Sequence, residues 1–499
     1  MADAMTPVFS WLDWSMLILL ILSIIVISLE SGKKTKNQKD FLLGGKSLKP
    51  GMVGLSLFAT MTSTLGYLSF PGEMIKYGPI FLMGVLAYPV AGWIINKAII
   101  PKIIRYNVTS AYEILEIKAG KKSRTLAILF FISLRFLWMC TIVFATVKTA
   151  IIPIIGLPTN FAPLLCAIII LFTVLFTTIG GLKAVVATDA LLALAMFLGA
   201  IITIVVILFK LGSLDVITSP DLYAHWVKMD FAPRLQTRMT VSNIILMTLC
   251  WQVCTAGSDQ MAIQRFLSVK DARQAKRSNN VSLFSISATR ILLSVVGLLV
   301  MAYFFSNPGQ MEKGTTIFSA ADNLFPLFIR IGLPSGITGL ICAALVAAAV
   351  SSLSSGLNSV TSVIQEDILK PIPRFKDKVF TLKDVRWISI ILGIAVLGGS
   401  FLVGYVQGNL LDITMKVVNL FVAPLFILFF MALYSPAVTD LGTVIGALCS
   451  LAAAIAVSFF GILGITQTWN IFIALSVGIP AGILASWIHS RITSSHSIT

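Results

Sequence analysis

The chain has 499 residues, 57% of them hydrophobic and only 12% charged, with a mean hydropathy of +0.94. Soluble domains carry roughly 25% charged residues, so the composition excludes a string of soluble domains and leaves one polytopic membrane domain. The net charge of +16 raises a nucleic-acid partner, but the Lys and Arg residues sit in breaks between apolar runs, as loop residues do, and form no groove for phosphates.

Apolar segments long enough to cross a core of ~30 Å run through 14–30, 52–70, 79–100, 125–152, 159–180, 184–210, 241–257, 281–305, 335–363, 386–405, 410–434, 439–463 and 468–490, thirteen in all. Basic residues cluster six between Ser31 and Pro50, seven between Lys97 and Arg124, five between Arg265 and Arg277, and six between Lys370 and Arg386. If the chain crosses at every run, these loops share one side, which marks it as cytoplasmic. The expectation is a multi-pass protein of the plasma or inner membrane, N-terminus outside and C-terminus inside. Residues 1–13 carry no Lys or Arg and the first run has no small-residue cleavage site, so that run reads as a retained helix.

Two segments read as broken helices. Residues 59–72 are polar and contain Gly66, Pro71 and Gly72; residues 251–260 contain Gln252 and Thr255 beside Ala256 and Gly257. Unwound backbone survives in a bilayer only where it lines a cavity or an ion site. With the first helix set aside, the two occupy positions one and six of ten helices, the pattern of an inverted-repeat secondary transporter with repeats at 52–210 and 241–434 and two further helices over 439–490. The same small residues also suit close helix packing.

The densest polar run is Ser351-Ser352-Leu353-Ser354-Ser355-Gly356-Leu357-Asn358-Ser359. At 3.6 residues per turn, Ser351, Ser355, Asn358 and Ser362 share a stripe. Their hydroxyl and carbonyl oxygens are hard neutral ligands suited to sodium, although a small-residue packing seam has the same composition. Asp189, with no base at helical spacing, is a second cation candidate, or a helix-start cap at the interface, or a proton carrier. Arg135 lies deep in an apolar helix, where it either pairs with an acid elsewhere or holds a substrate carboxylate. Arg290 and Lys416 read as snorkelling residues.

Enzyme signatures are missing. Gly44-Gly45-Lys46-Ser47 has Asp40 where a phosphate-binding loop needs its first glycine, which argues against an ATP-driven pump. The three histidines (His225, His489, His496) fall in a loop, at the very end of the last run and in the tail, and the six cysteines show neither a disulfide framework nor zinc spacing.

At Thr109-Ser110-Ala111-Tyr112-Glu113-Ile114-Leu115-Glu116, Gly180-Gly181-Leu182-Lys183-Ala184-Val185 through Asp189, Ser258-Asp259-Gln260 with Gln264-Arg265-Phe266, and the serine run ending in Asn358-Ser359, the chain resembles the sodium/solute symporter family. The resemblance implies an all-α leucine-transporter-type core of five plus five helices, with one helix before and two after. It implies a sodium site from Ala59, Thr62, Ala348, Ser351 and Ser352, and a second from Asp189, Ser351, Ser354 and Ser355, hence two sodium ions per cycle. Arg135 and Ser63 match substrate-site positions of sialic-acid carriers, and Gln252 and Thr255 join them as candidates. Met61, Gly66 and Val85 stand where those carriers place polar side chains, which argues against sialic acid itself and leaves a smaller acid or a sugar open. The implied function is sodium-coupled import of a small organic solute, a monocarboxylate, a sugar or a related polar solute, by a protein embedded in membrane lipid, with no nucleic acid and no obligate protein partner. Proton coupling, a sensor and a channel are the alternatives.

Overall fold

A computed structural model describes residues 9–33, 35, 38–106, 108–375, 380–403, 410–436 and 438–496. Residues 1–8 of the N-terminus, Lys34, Lys36, Lys376 and Lys378 of the basic loops, and residues 404–405 of one expected span lie outside them. The described chain is helical, with no strand. Its main elements are α1 (Trp11–Lys33), α2 (Pro50–Met61), α3 (Thr64–Tyr77), α4 (Phe81–Ile104), α5 (Lys121–Ile155), α6 (Thr159–Leu211), α7 (Val241–Ser258), α8 (Gln260–Leu267), α9 (Ala272–Ser306), α10 (Ile317–Gly332), α11 (Ile337–Leu369), α12 (Leu382–Val403), α13 (Leu410–Tyr434), α14 (Asp440–Phe460) and α15 (Asn470–His496).

Several starts are written in the sequence. Pro50 opens α2, where a missing N–H costs nothing. Thr240, Asp271 and Thr439 cap α7, α9 and α14 by accepting from the N–H three residues on, at 3.2, 2.9 and 3.1 Å.

Among the described residues, ten helices are long and apolar enough to cross a membrane, eleven when the bent pair α2–α3 is taken as one span. Thirteen crossings were expected, and the difference has two sources. The expected spans 159–180 and 184–210 run on as α6, a single 53-residue element interrupted at Gly181, whose φ of 58° and ψ of −153° are non-helical. The carbonyl oxygen of Phe41 would lie 2.7 Å from a Cβ at Gly181, so backbone conformation and close approach both demand glycine there. In α13 the described apolar stretch is the shorter Asn419–Tyr434.

The loop contacts respect an alternating path. On one side, Lys102 Nζ donates to Leu433 O at 2.7 Å, Ser123 N to Asp440 at 2.8 Å and Arg386 Nε to Thr178 O at 2.7 Å. On the other, Asp13 accepts from Gly336 N and Gly339 N at 2.7 Å each, Arg238 pairs with Glu73 at 2.9 Å, and Thr466 N donates to Leu235 O at 2.9 Å. Each of these joins segments that alternation assigns to the same face.

The amphipathic helix α10 was not expected from the sequence, since 16 residues containing Asp322, Asn323 and Pro326 do not read as a span. A Thr316–Ser319 capping box starts it, and it packs on α3, where Lys76 Nζ lies 5.3 Å from the Phe318 ring.

Candidate functional site

The first expected break is present. Helix α2 stops at Met61, Thr62 and Ser63 take extended conformations (ψ 95° and 168°), and α3 leaves at 66°. Ser63 makes the bend possible, because its hydroxyl accepts the N–H of Gly66 at 3.3 Å. That N–H would otherwise serve the carbonyl of Thr62. The last bond of α2 runs from Thr62 N to Phe58 O at 2.9 Å, and no backbone N–H of the described residues takes up the carbonyl of Ala59. The end of a buried helix therefore presents carbonyl oxygens without their helical partners.

Helix α11 faces this end. Ser352 Oγ donates to Thr60 O at 3.3 Å, Thr60 Oγ1 and Ser355 Oγ are 3.0 Å apart, and Thr64 Oγ1 reaches Leu345 O at 2.7 Å. Ala59, Ala348, Ser351 and Ser352 are all fully buried and Thr62 nearly so. Carbonyl and hydroxyl oxygens thus converge between α2 and α11, a donor set that fits a hard monovalent cation.

The surroundings of Asp189 differ from expectation. Its Oδ1 accepts from Ser351 Oγ at 2.5 Å and its Oδ2 from Ser56 Oγ at 2.5 Å, while Arg265 Nη2 lies 3.1 Å from Oδ2. Arg265 also donates from Nε to Ser56 Oγ at 2.8 Å, from Nη1 to Met261 O at 2.9 Å, and from Nη2 to Ser355 Oγ. Arg265 was grouped with a basic cytoplasmic loop; it is instead completely buried in α8. Of the expected second sodium set, Asp189 and Ser355 contact this guanidinium and Ser351 holds the other carboxylate oxygen, whereas Ser354 turns back to its own helix at Ser351 O, 3.0 Å away.

The second expected break falls at the end of its segment, 251–260. Residues 251–258, including Gln252 and Thr255, are regular helix, and the chain turns at Asp259, whose side chain caps α8 through Met261 N at 2.9 Å. Asp259 also forms an ion pair with Arg135. The acid elsewhere in the fold, left open for Arg135 by the sequence, is therefore this one.

A cavity of about 700 Å³ lies above the break, within the size range of small-molecule sites. Met61, Thr62 and Ser63 form its floor, Phe70, Tyr88, Trp138 and Trp251 supply aromatic walls, and Glu73, Arg238, Thr466 and Thr468 stand at the face opposite the basic loops. Of the expected substrate residues only Ser63 lines it. Arg135, Gln252 and Thr255 are buried outside the lining, and Arg135 Nε, Gln252 Oε1 and Thr255 Oγ1 have no hydrogen-bond partner among the described residues. Sequence reasoning missed Thr60, Ser56 and Arg265 around the ion sites, and Arg290, Asn419, Glu73 and Arg238 around the cavity. A guanidinium inside an apolar run, as at Arg290, was the one available signal.

The profile of the sodium:solute symporter family matches residues 41–450. The chain is 28% identical over 456 residues to sodium-coupled monocarboxylate transporter 1 of Xenopus laevis, covering 89% of this chain and 71% of that one. It is 25% identical over 490 residues to the sodium/sialic acid symporter of Proteus mirabilis, covering 95% of each. Among solved structures, a substrate-bound, outward-open sodium-coupled sialic acid symporter superposes with a TM-score of 0.85 at 22% identity, over 96% of this chain and 98% of that one. MhsT in complex with L-phenylalanine superposes at 0.53 and 16% identity, over 88% and 97%. The superpositions show an all-helical leucine-transporter-type fold, and the match over most of the sequence adds the lineage: the chain belongs to the sodium:solute symporter family.

Proposed function

We propose that the protein imports a small organic solute by alternating access, with sodium held between the end of α2 and the middle of α11. The carbonyls of Ala59, Thr62 and Ala348 and the hydroxyls of Ser351 and Ser352 are the ligands. The observation that carries this reading is the approach of Ser352 Oγ to the Thr60 carbonyl at the break, 3.3 Å away, where helix geometry frees oxygens that no N–H claims. In the repeat reading, 52–210 and 241–434 rock about this site and the basic loops face the cytoplasm.

The structure suits the outward-facing half of such a cycle. The cavity reaches Glu73, Arg238 and the 466–468 segment, on the face away from the basic loops. The opposite face is held together by Arg124 with Glu116 and Asp367, and by Lys183 with Asp40 at 3.2 Å. Sodium entering from outside ties α2 to α11 below the solute, and its release inward follows the parting of those ion pairs. Asp189 already has its counter-charge in Arg265, which favours sodium over protons as the coupling ion. At 100 mV one charge is worth ~2.3 kcal/mol and a tenfold gradient ~1.4 kcal/mol, so one sodium ion concentrates a neutral solute by roughly several hundredfold.

The test is uptake into proteoliposomes under an imposed sodium gradient. Ser352→Ala is expected to raise the sodium half-saturation at least tenfold with little change in unfolding temperature. Equal uptake driven by a proton gradient without sodium would overturn the reading.

A further inference from the structure

The charges around the cavity are unbalanced. Among the described residues its lining holds three cations, Arg238, Arg290 and Lys416, against a single carboxylate, Glu73, which Arg238 engages at 2.9 Å. Arg290 lies in the middle of α9, and no ion pair or hydrogen bond of the described residues reaches it. Its Nε and Nη1 are both out of solvent and have no acceptor. Three aromatic rings surround the guanidinium carbon, Phe70 at 4.8 Å, Tyr88 at 5.1 Å and Phe81 at 5.8 Å. Aromatic faces attract a cation but give its N–H groups no lone pair in the ring plane. Beside it, Thr289 Oγ1 and Asn419 Nδ2 also lack partners.

A guanidinium enclosed in a membrane protein without a counter-charge is costly, and such groups mark substrate paths. A carboxylate fits the missing acceptor, because it is planar and anionic and its two oxygens match the paired N–H groups along one edge of a guanidinium. Gly84 leaves room for the fork: a Cβ there would lie 3.0 Å from Nη1 and 2.7 Å from Thr248 Oγ1.

We propose that Arg290 is the anion anchor of the solute site, and that the solute is a small organic carboxylate whose apolar body rests against Phe70, Tyr88, Trp138 and Trp251. This rests on the cavity being the transport site. Arg135, committed to Asp259, does not take the role in this conformation. An acid bound here supplies Arg290 with a counter-charge, above a sodium ion held at the break.

Isosteric pairs of probes test the assignment: propionate against propionamide and benzoate against benzamide, measured by thermal stabilisation of the purified full chain with and without sodium. The acids are expected to stabilise in sodium and the amides to have at least tenfold weaker effect. Arg290→Gln is expected to lose the response to the acids at least tenfold while keeping the stabilisation by sodium alone, which shows that the variant is folded. Arg290→Lys, a point charge without the fork, should fall between the two. Gly84→Ala, which crowds Nη1, is expected to weaken the acids without affecting sodium. Equal responses to acid and amide, no response to either, or an unchanged acid response in Arg290→Gln each overturn the proposal. Loss of the sodium effect in the unmodified protein would instead bring down the sodium site itself.

Discussion

Arg265 Nη2 stands 3.1 Å from Asp189 Oδ2, and neither side chain reaches solvent. The pair links α8, which follows the turn at Asp259, to α6, and through Ser56 and Ser355 it also grips α2 and α11. Four elements are therefore tied together beside the proposed sodium site by one neutralised charge pair. Three residues expected to hold a second sodium ion, Asp189, Ser351 and Ser355, are engaged in this network.

Removing one partner of such a pair leaves a buried charge uncompensated, a loss of about 3–5 kcal/mol. Arg265→Leu is expected to lower the unfolding midpoint sharply, and Arg265→Leu with Asp189→Asn to recover much of the loss. Because the single variant exposes a vacant carboxylate to cations, added sodium should stabilise it more than it stabilises the unmodified protein. Thermal unfolding across a sodium series reads both effects, and a wild-type midpoint for Arg265→Leu would show the pair to be incidental.

The charge moved per cycle follows from the same arrangement. With one sodium ion, a neutral solute carries one positive charge inward and a monocarboxylate carries none. Currents from proteoliposomes on a solid support are expected to be absent with a carboxylate, even where radiolabel shows uptake. A sustained inward current with a carboxylate would demonstrate a second ion.

Gly181 joins the two limbs of α6 at a φ of 58° and a ψ of −153°, a region that side chains avoid at a cost of about 1–3 kcal/mol. The Phe41 contact adds to it. Gly181→Ala should therefore destabilise by at least that amount, seen as a lower unfolding midpoint in detergent. An unaffected midpoint would mean that the kink relaxes freely.

Arg124 bridges Asp367, at 2.6 Å, and Glu116 on the face of the basic loops. Arg124→Gln should loosen that closure. In a cysteine-free background, Cys substituted at the buried Ser359 is expected to react faster with a small membrane-impermeant thiol reagent from the cytoplasmic face when Arg124→Gln is present. Sodium, by holding α2 against α11, should slow the reaction again. No change in labelling rate would remove Arg124 from the closure.

The class of this protein and the place of its first break were legible in local sequence alone. Thirteen apolar runs, basic loops at alternate breaks, and a Gly- and Ser-rich interruption at 59–72 are local properties, and each follows from the cost of leaving backbone or charge in lipid. The serines of α11 were legible in the same way, since a hydroxyl stripe is set by helical period alone. Only the tertiary structure decided which charges meet. Asp189 and Arg265 are distant along the chain and on different helices, as are Arg135 and Asp259, so no spacing rule could pair them. Arg290 looked like any cation near a helix end until packing surrounded it with aromatic rings and left it without an acid among the described residues. Partners across helices are chosen by how the helices cross, and that depends on the whole packed bundle rather than on any one segment.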